Sequence, residues 1–207
     1  MGGGLGLATS AGELQVSSTA GTTAGLSSIE ALRARAREQI EDGAVTRTYS
    51  ADRPTVLRLL NEALATELVC TLRYRRHYFM ANGVHAEAIK EEFRTHAQEE
   101  LEHADRIAAR IVQLDGEPNF DPKGLETRSH AEYVAATSLT DMIREDLVAE
   151  RIAIDSYKEM VDYIGAHDPT TRRLLEDILA KEEEHAEELA SMLTAVAPGR
   201  TEKPARG

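Results

Sequence analysis

EELEHADRIAAR, residues 99–110, and ILAKEEEHAEEL, residues 178–189, each carry a Glu-x-x-His, as Glu100-x-x-His103 and Glu182-x-x-His185. Working back along the chain, Glu67 precedes the first motif by 33 residues and Glu150 precedes the second by 32. Four glutamates and two histidines therefore recur as a doubled pattern. This is the ligand set of a two-metal site built from four helices, two giving one Glu each and two giving a Glu-x-x-His.

The surrounding punctuation predicts where the four helices run. The first enters at Asp52 to Pro54 and leaves at Asn82-Gly83, and the second runs from about Ala86 to Gly116, where Gly116 and Pro118 stop it. Ser138-x-x-Asp141 is a capping box for the third, which ends near Gly165, and Asp168-Pro169 opens the fourth, which Pro198-Gly199 terminates. No fifth packed helix is expected after it. Ser27-x-x-Glu30 predicts a short additional helix ending near Gly43. The organisation is thus a Gly/Ser/Thr-rich tail over residues 1–27, expected to be mobile, a short helix and linker over 28–51, a four-helix bundle over 52–197, and a C-terminal tail over 198–207.

Loop lengths set the topology. The first and last connections are only a few residues, so each flanking pair is an antiparallel hairpin. The central stretch, roughly Glu117 to Thr137, is long enough at about 65 Å extended to run the length of helices of about 42 Å. The expected fold is all-α, up-down, long crossover, up-down.

In that arrangement the candidates converge. Glu67 and Glu100 lie about equally far from the first hairpin turn, roughly 21 Å along their helices, and Glu150 and Glu182 flank the second turn almost as symmetrically. Each glutamate also interrupts an apolar stripe: Leu60, Ala63, Leu64, Cys70 and Tyr74 share the face of Glu67, and Ile143, Leu147, Ala153, Ile154 and Tyr157 that of Glu150. Charged residues are seldom buried without partners, so an inward acid on every helix needs an explanation. Two carboxylates about 4 Å apart repel by roughly 4 kcal/mol at an effective dielectric of 20. Two divalent cations cancel four such charges, and carboxylate-rich ligation with one nitrogen per metal favours iron or manganese.

Composition excludes other classes. With 36 acidic against 24 basic residues the net charge is -12, which repels a phosphate backbone. The first 28 residues contain no Lys or Arg, and the C-terminal tail offers only Arg200, Lys203 and Arg206 beside Glu202, so DNA is not an expected partner. A single cysteine fits a reducing, cytoplasmic setting. No apolar run approaches the roughly 18 residues of a membrane span, and no secretory signal is read at the N-terminus.

Asn61–Tyr78 (NEALATELVCTLRYRRHY), Glu99–Arg110, Asp146–Asp155 (DLVAERIAID) and Ile178–Leu189 resemble the four helices of bacterioferritin-like proteins in the ferritin superfamily. The resemblance covers about residues 52–196. It implies a ferroxidase centre inside each subunit, binding two irons through Glu67, Glu100, His103, Glu150, Glu182 and His185, with Glu100 and Glu182 bridging. It also implies that Tyr74 is a tyrosine beside the site; Tyr157 stands in the same relation to Glu150. Leu101 occupies the position where bacterioferritins carry the haem-ligating methionine, so haem is not expected. The lengthened crossover and absent fifth helix look more like Dps-like proteins with an intrasubunit site, which implies a dodecamer rather than a 24-mer.

Further candidates are weaker. His77, His85, His130 and His167 fall at helix ends or in loops and are expected at the surface; His96, one turn before Glu100, reads as a core residue or as an outer partner of the site, core the more so. Asp146 is a candidate to orient a ligand histidine, Cys70 a small buried hydrophobe, and Glu99, Glu102, Glu183 and Glu184 a solvated face or outer partners. Two functions follow. The first is oxidation of Fe(II) by O2 or H2O2 with storage of Fe(III) in a hollow homo-oligomer. The alternative is a di-iron or di-manganese peroxidase, catalase-like enzyme or oxidase that stores nothing.

Overall fold

The computed structural model describes residues 1, 25–38, 40, 43–83 and 86–196. The expected tails over 1–27 and 198–207, the absence of a fifth helix and the position of His85 thus lie wholly or largely outside the described residues. The chain divides into two compact units, Met1–Asp42 and Gly43–Gly207. The first contains α1, Ile29–Glu38. Its cap differs from the expected one: the Ala31 amide donates to Ser28 Oγ, and Ser27 Oγ instead accepts from Arg35. The described helix stops short of Gly43.

The second unit is a four-helix bundle of α2 (Arg53–Met80), α3 (Ala86–Gln113), α5 (Leu139–Ile164) and α6 (Pro169–Val196), with one turn of helix, α4 (Leu125–Arg128), in the crossover. None of the described helices is long and apolar enough to cross a membrane. Helix α2 pairs with α3 and α5 with α6, and contacts α2·α5 and α3·α6 join the hairpins. The caps follow from chemistry readable in the sequence. Ser138 Oγ accepts from the Asp141 amide at 3.1 Å and donates to its carboxylate at 2.6 Å, while Gly165, at φ 51°, leaves α5 in a backbone region disfavoured for side chains. Asp168 accepts from the Thr171 amide, the Tyr49 hydroxyl and two Arg110 contacts of 2.9 and 3.1 Å. One N-cap therefore ties the start of α6 to the end of α3 and to the segment before α2.

The crossover runs along α2, held by that helix's polar side chains. Asn61 bonds the backbone at Glu117 and Asn119, Thr66 that at His130, Arg73 that at Glu132, and Arg76 that at Ala135. Backbone groups of an irregular segment would otherwise lie unpaired against the bundle. The interior is apolar at both ends: Leu60, Leu64, Ile107, Ile111, Met160 and Ile178 form one cluster, and Phe93, Ala97, Ile143, Leu147 and Leu189 another. Each such fully buried large side chain contributes about 1.5–3 kcal/mol. Along every helix the candidate glutamate falls between these clusters, so the bundle is two hydrophobic caps around one polar layer.

Candidate metal centre

All six residues singled out by spacing meet in that layer, each no more than 4 % exposed. Ligand atoms of Glu67, Glu100, His103 and Glu182 lie within 4.8 Å of one another, and those of Glu100, Glu150, Glu182 and His185 do likewise. The two groups share Glu100 and Glu182. His103 turns Nδ1 toward Glu182 Oε1 (2.9 Å), Glu67 Oε2 (3.3 Å) and Glu100 Oε2 (3.6 Å). His185 turns Nδ1 toward Glu100 Oε1 (3.4 Å) and Glu182 Oε2 (3.5 Å).

The donor set fits a pair of cations. Among the described residues, Glu100 Oε1, Glu150 Oε2, Glu182 Oε1 and His185 Nδ1 are buried with no hydrogen-bond partner. The 2.9 Å approach of Glu182 Oε1 to His103 is therefore proximity without hydrogen-bond alignment. Buried polar atoms without partners each cost about 1–3 kcal/mol, and four in one cluster call for protons or metal ions among them. His185 is oriented for the task, since its Nε2 meets Glu99 Oε2 at 2.8 Å. A proton donated there leaves Nδ1 as the ring nitrogen that faces the carboxylates and would bind a metal once its own proton leaves, the arrangement that second partners impose on metal-binding imidazoles.

Without metal, protons carry the compensating charge. Burial and the adjacent Glu100 carboxylate push Glu67 up to about 8, and burial with Glu100 and Glu182 raises Glu150 well above the usual range. Burial and carboxylate repulsion oppose ionisation of Glu100 and Glu182 as well, but contacts of Glu100 with Glu67 and both histidines, and of Glu182 with both histidines and Glu150, hold their pKa values low. Burial disfavours charged imidazoles, yet the carboxylates around them override it and raise His103 to about 12 and His185 to about 11.

The tyrosines cross over. Tyr74 on α2 donates to Glu150 on α5, and Tyr157 on α5 donates to Glu67 on α2. Each thus fixes the carboxylate of the facing helix, which spacing along one helix does not reveal.

Two expectations need correction. His77 is fully buried, with Nδ1 2.8 Å from Asp146 Oδ2 and Nε2 3.2 Å from the carbonyls of Val134 and Ala135. Asp146 orients no candidate ligand histidine; it pairs with His77 and with the buried Arg73 (2.9 Å), tying α5 to α2. His96 is buried, and its ring stacks on His185 with centroids 4.0 Å apart, so it is both a core residue and a neighbour of the site, the two places its sequence position allows. His167 is exposed and His130 half-buried. Glu99 is the outer partner of His185, whereas Glu102, Glu183 and Glu184 are exposed. Cys70 is buried, and burial raises its thiol pKa.

Known proteins share the fold that carries this layer. Residues 57–197 match the model of the ferritin-like domain. The bacterioferritin of Mycobacterium avium is 33% identical over 141 residues, 68% of this chain and 84% of that protein. A dodecameric thioferritin, the bacterioferritin-related protein from Bacteroides fragilis, superposes with a TM-score of 0.69 at 32% identity, covering 71% of this chain and 89% of that one. The Dps of Thermosynechococcus elongatus shares the fold at 21% identity, with a TM-score of 0.66 over 70% of this chain and 92% of that one.

Proposed function

The chain belongs to the ferritin-like domain family, and from that premise we propose that it is a ferroxidase that stores and detoxifies iron. The observation that carries the proposal is the pair of ligand groups sharing Glu100 and Glu182, with four buried polar atoms between them that have no hydrogen-bond partner. Iron is the substrate. Glu67 and His103 hold one Fe(II), Glu150 and His185 the other, and Glu100 and Glu182 bridge them. Two Fe(II) supply two electrons, which match reduction of H2O2 to water or of O2 to H2O2. Manganese suits the same oxygen-rich donors.

The protein's part is positioning and charge. Four carboxylates neutralise two divalent ions in a buried layer, so binding requires no further counter-ion. Tyr74 and Tyr157 hold Glu150 and Glu67 by their outer oxygens and so limit each carboxylate's swing. Fe(III) then leaves for a mineral inside a homo-oligomer, for which we favour twelve subunits over twenty-four, by analogy with the related dodecameric thioferritin. Leu101, on the surface of α3, offers no thioether, and haem is no part of the proposal.

Aerobic addition of Fe(II) tests the reading. The assembled protein is expected to oxidise and retain far more iron than two atoms per subunit. Retention that saturates at two leaves a redox enzyme and removes storage. Glu100→Ala or Glu182→Ala is expected to abolish rapid oxidation, and unchanged kinetics refute the site.

A further inference from the structure

We propose that Glu92, His96 and Glu188 form a third site for a divalent cation, set beside the dinuclear centre and sharing no ligand with it. The site stands on its own residues and does not depend on the dinuclear reading.

Glu92 and His96 lie four residues apart, one turn of α3, and Glu188 lies on α6, which packs against α3. Each offers one ligand atom, and the three atoms lie within 4.8 Å of one another. His96 Nε2 and Glu188 Oε2 are 2.9 Å apart. Two donors held on one ion at about 2.1 Å and at right angles are separated by roughly 3.0 Å, so this pair already has the spacing of neighbouring ligands. Glu92 is half-buried and has room to close the remaining edges.

The imidazole is the fixed member of the group. Its side chain is fully buried, its ring stacks on His185, and it meets the edge of Tyr74 at 5.2 Å and 90°. The carboxylates lack the partners that their neighbours have. On the same helix Glu87 pairs with Lys90 and Glu91 with Arg94, whereas among the described residues Glu92 makes no hydrogen bond or ion pair and Glu188 pairs only with His96. In the metal-free chain a proton on Nε2 bridges His96 and Glu188. A cation takes that seat when the proton moves to Nδ1, which is buried with no hydrogen-bond partner, so the move breaks no bond at that atom. Two carboxylates cancel the charge of a dication, and oxygen donors with one imidazole suit Fe(II), Mn(II) or Zn(II).

Equilibrium dialysis of the full chain against Zn(II) tests the site without turnover. The wild-type protein is expected to hold three Zn(II) per chain, two tightly and one more weakly. Glu92→Gln combined with Glu188→Gln keeps both side-chain shapes at half-buried positions and is expected to weaken the third ion at least about tenfold, leaving the tight pair in place. His96→Phe keeps an aromatic ring against His185 and is expected to weaken the same ion. Glu102→Gln combined with Glu184→Gln removes two exposed acids from the same two helices and is expected to leave all three ions bound. Saturation of the wild-type protein at two ions overturns the proposal, as does retention of the third ion by either the Glu92/Glu188 or the His96 variant. Loss of the third ion in the Glu102/Glu184 variant also overturns it, since that marks general attraction to an acidic surface. If His96→Phe does not fold, the Glu92/Glu188 variant decides alone. The two readings fail separately: two tight ions without a third remove this site and leave the dinuclear centre, whereas a single ion that the Glu92/Glu188 variant loses leaves this site and removes the dinuclear centre.

Discussion

Loading the centre with two divalent metals should expel four protons per subunit near pH 7. In the metal-free site Glu100 and Glu182 are the ionised carboxylates, Glu67 and Glu150 hold protons, and both imidazoles are charged. Two negative and two positive charges already cancel. The loaded site is neutral as well, with four carboxylates, two neutral imidazoles and two dications. The exchange is therefore four protons for two metals, at no change in net charge of the layer. By linkage, the logarithm of the overall two-metal binding constant rises with pH by the number of protons released. Between about pH 5.5 and 7 the constant should gain about four decades per unit, roughly 5.4 kcal/mol at about 1.36 kcal/mol per proton per unit. Above about pH 8 Glu67 has lost its own proton, and the slope should fall toward three. Zn(II) is the appropriate probe, because its binding involves no oxidation. A chelator competition series gives the slope, and an indicator dye in weakly buffered solution counts the protons directly. A slope near two across the range would refute the reasoning, since it would mean that the histidines are neutral before metal arrives.

Other perturbations separate structure from chemistry. In metal-free protein the raised Glu67 penalises folding once pH exceeds 4.5, and the raised histidines lose their stabilisation as pH rises from 6.5 through about 11 to 12. Thermal midpoints without metal should therefore fall from pH 5 to pH 8, and Zn(II) should reverse the trend; a rising apo profile contradicts the proton assignment. Asp146→Ala strands Arg73 and His77 in the interior and should cost about 3–5 kcal/mol, a drop of about 10 °C at about 2–4 °C per kcal/mol. Replacing the pair, Arg73→Met with Asp146→Leu, should recover more than half of that in urea unfolding. Tyr74→Phe and Tyr157→Phe should each weaken Zn(II) binding about tenfold. Because the bonds cross, Tyr74→Phe should affect the Glu150 metal and Tyr157→Phe the Glu67 metal, as resolved by stepwise titration; a loss at the metal of the tyrosine's own helix contradicts the crossing.

What the sequence makes legible here is whatever repeats along one helix. Caps at Ser138 and Asp168, the breaks at Gly116 and Gly165, and the inward acids were all local patterns, and they suffice for the bundle and the six central residues. Pairings between helices were not local. Arg73 stands beside Arg75 and Arg76 and reads as a basic surface run, yet Thr66, Cys70, Arg73 and His77 follow one another at helical spacing of three and four and are all buried. That stripe was the available signal for His77. What it lacked was the partner, since Asp146 lies 73 residues from Arg73. The sequence leaves His96 divided between core and site for the same reason. Along α3, His96, Glu100 and His103 form a ladder, and along α6, Glu182, His185 and Glu188 form another. Each alone looks like a two-member motif with a stray polar neighbour. Only when α3 and α6 lie side by side, so that Glu188 takes the Nε2 proton of His96 and Glu99 that of His185, do the strays become outer partners of a shared centre. A doubled motif therefore predicts the six central residues, and the residues one helical turn outside it that orient and border them are legible only once the helices are packed.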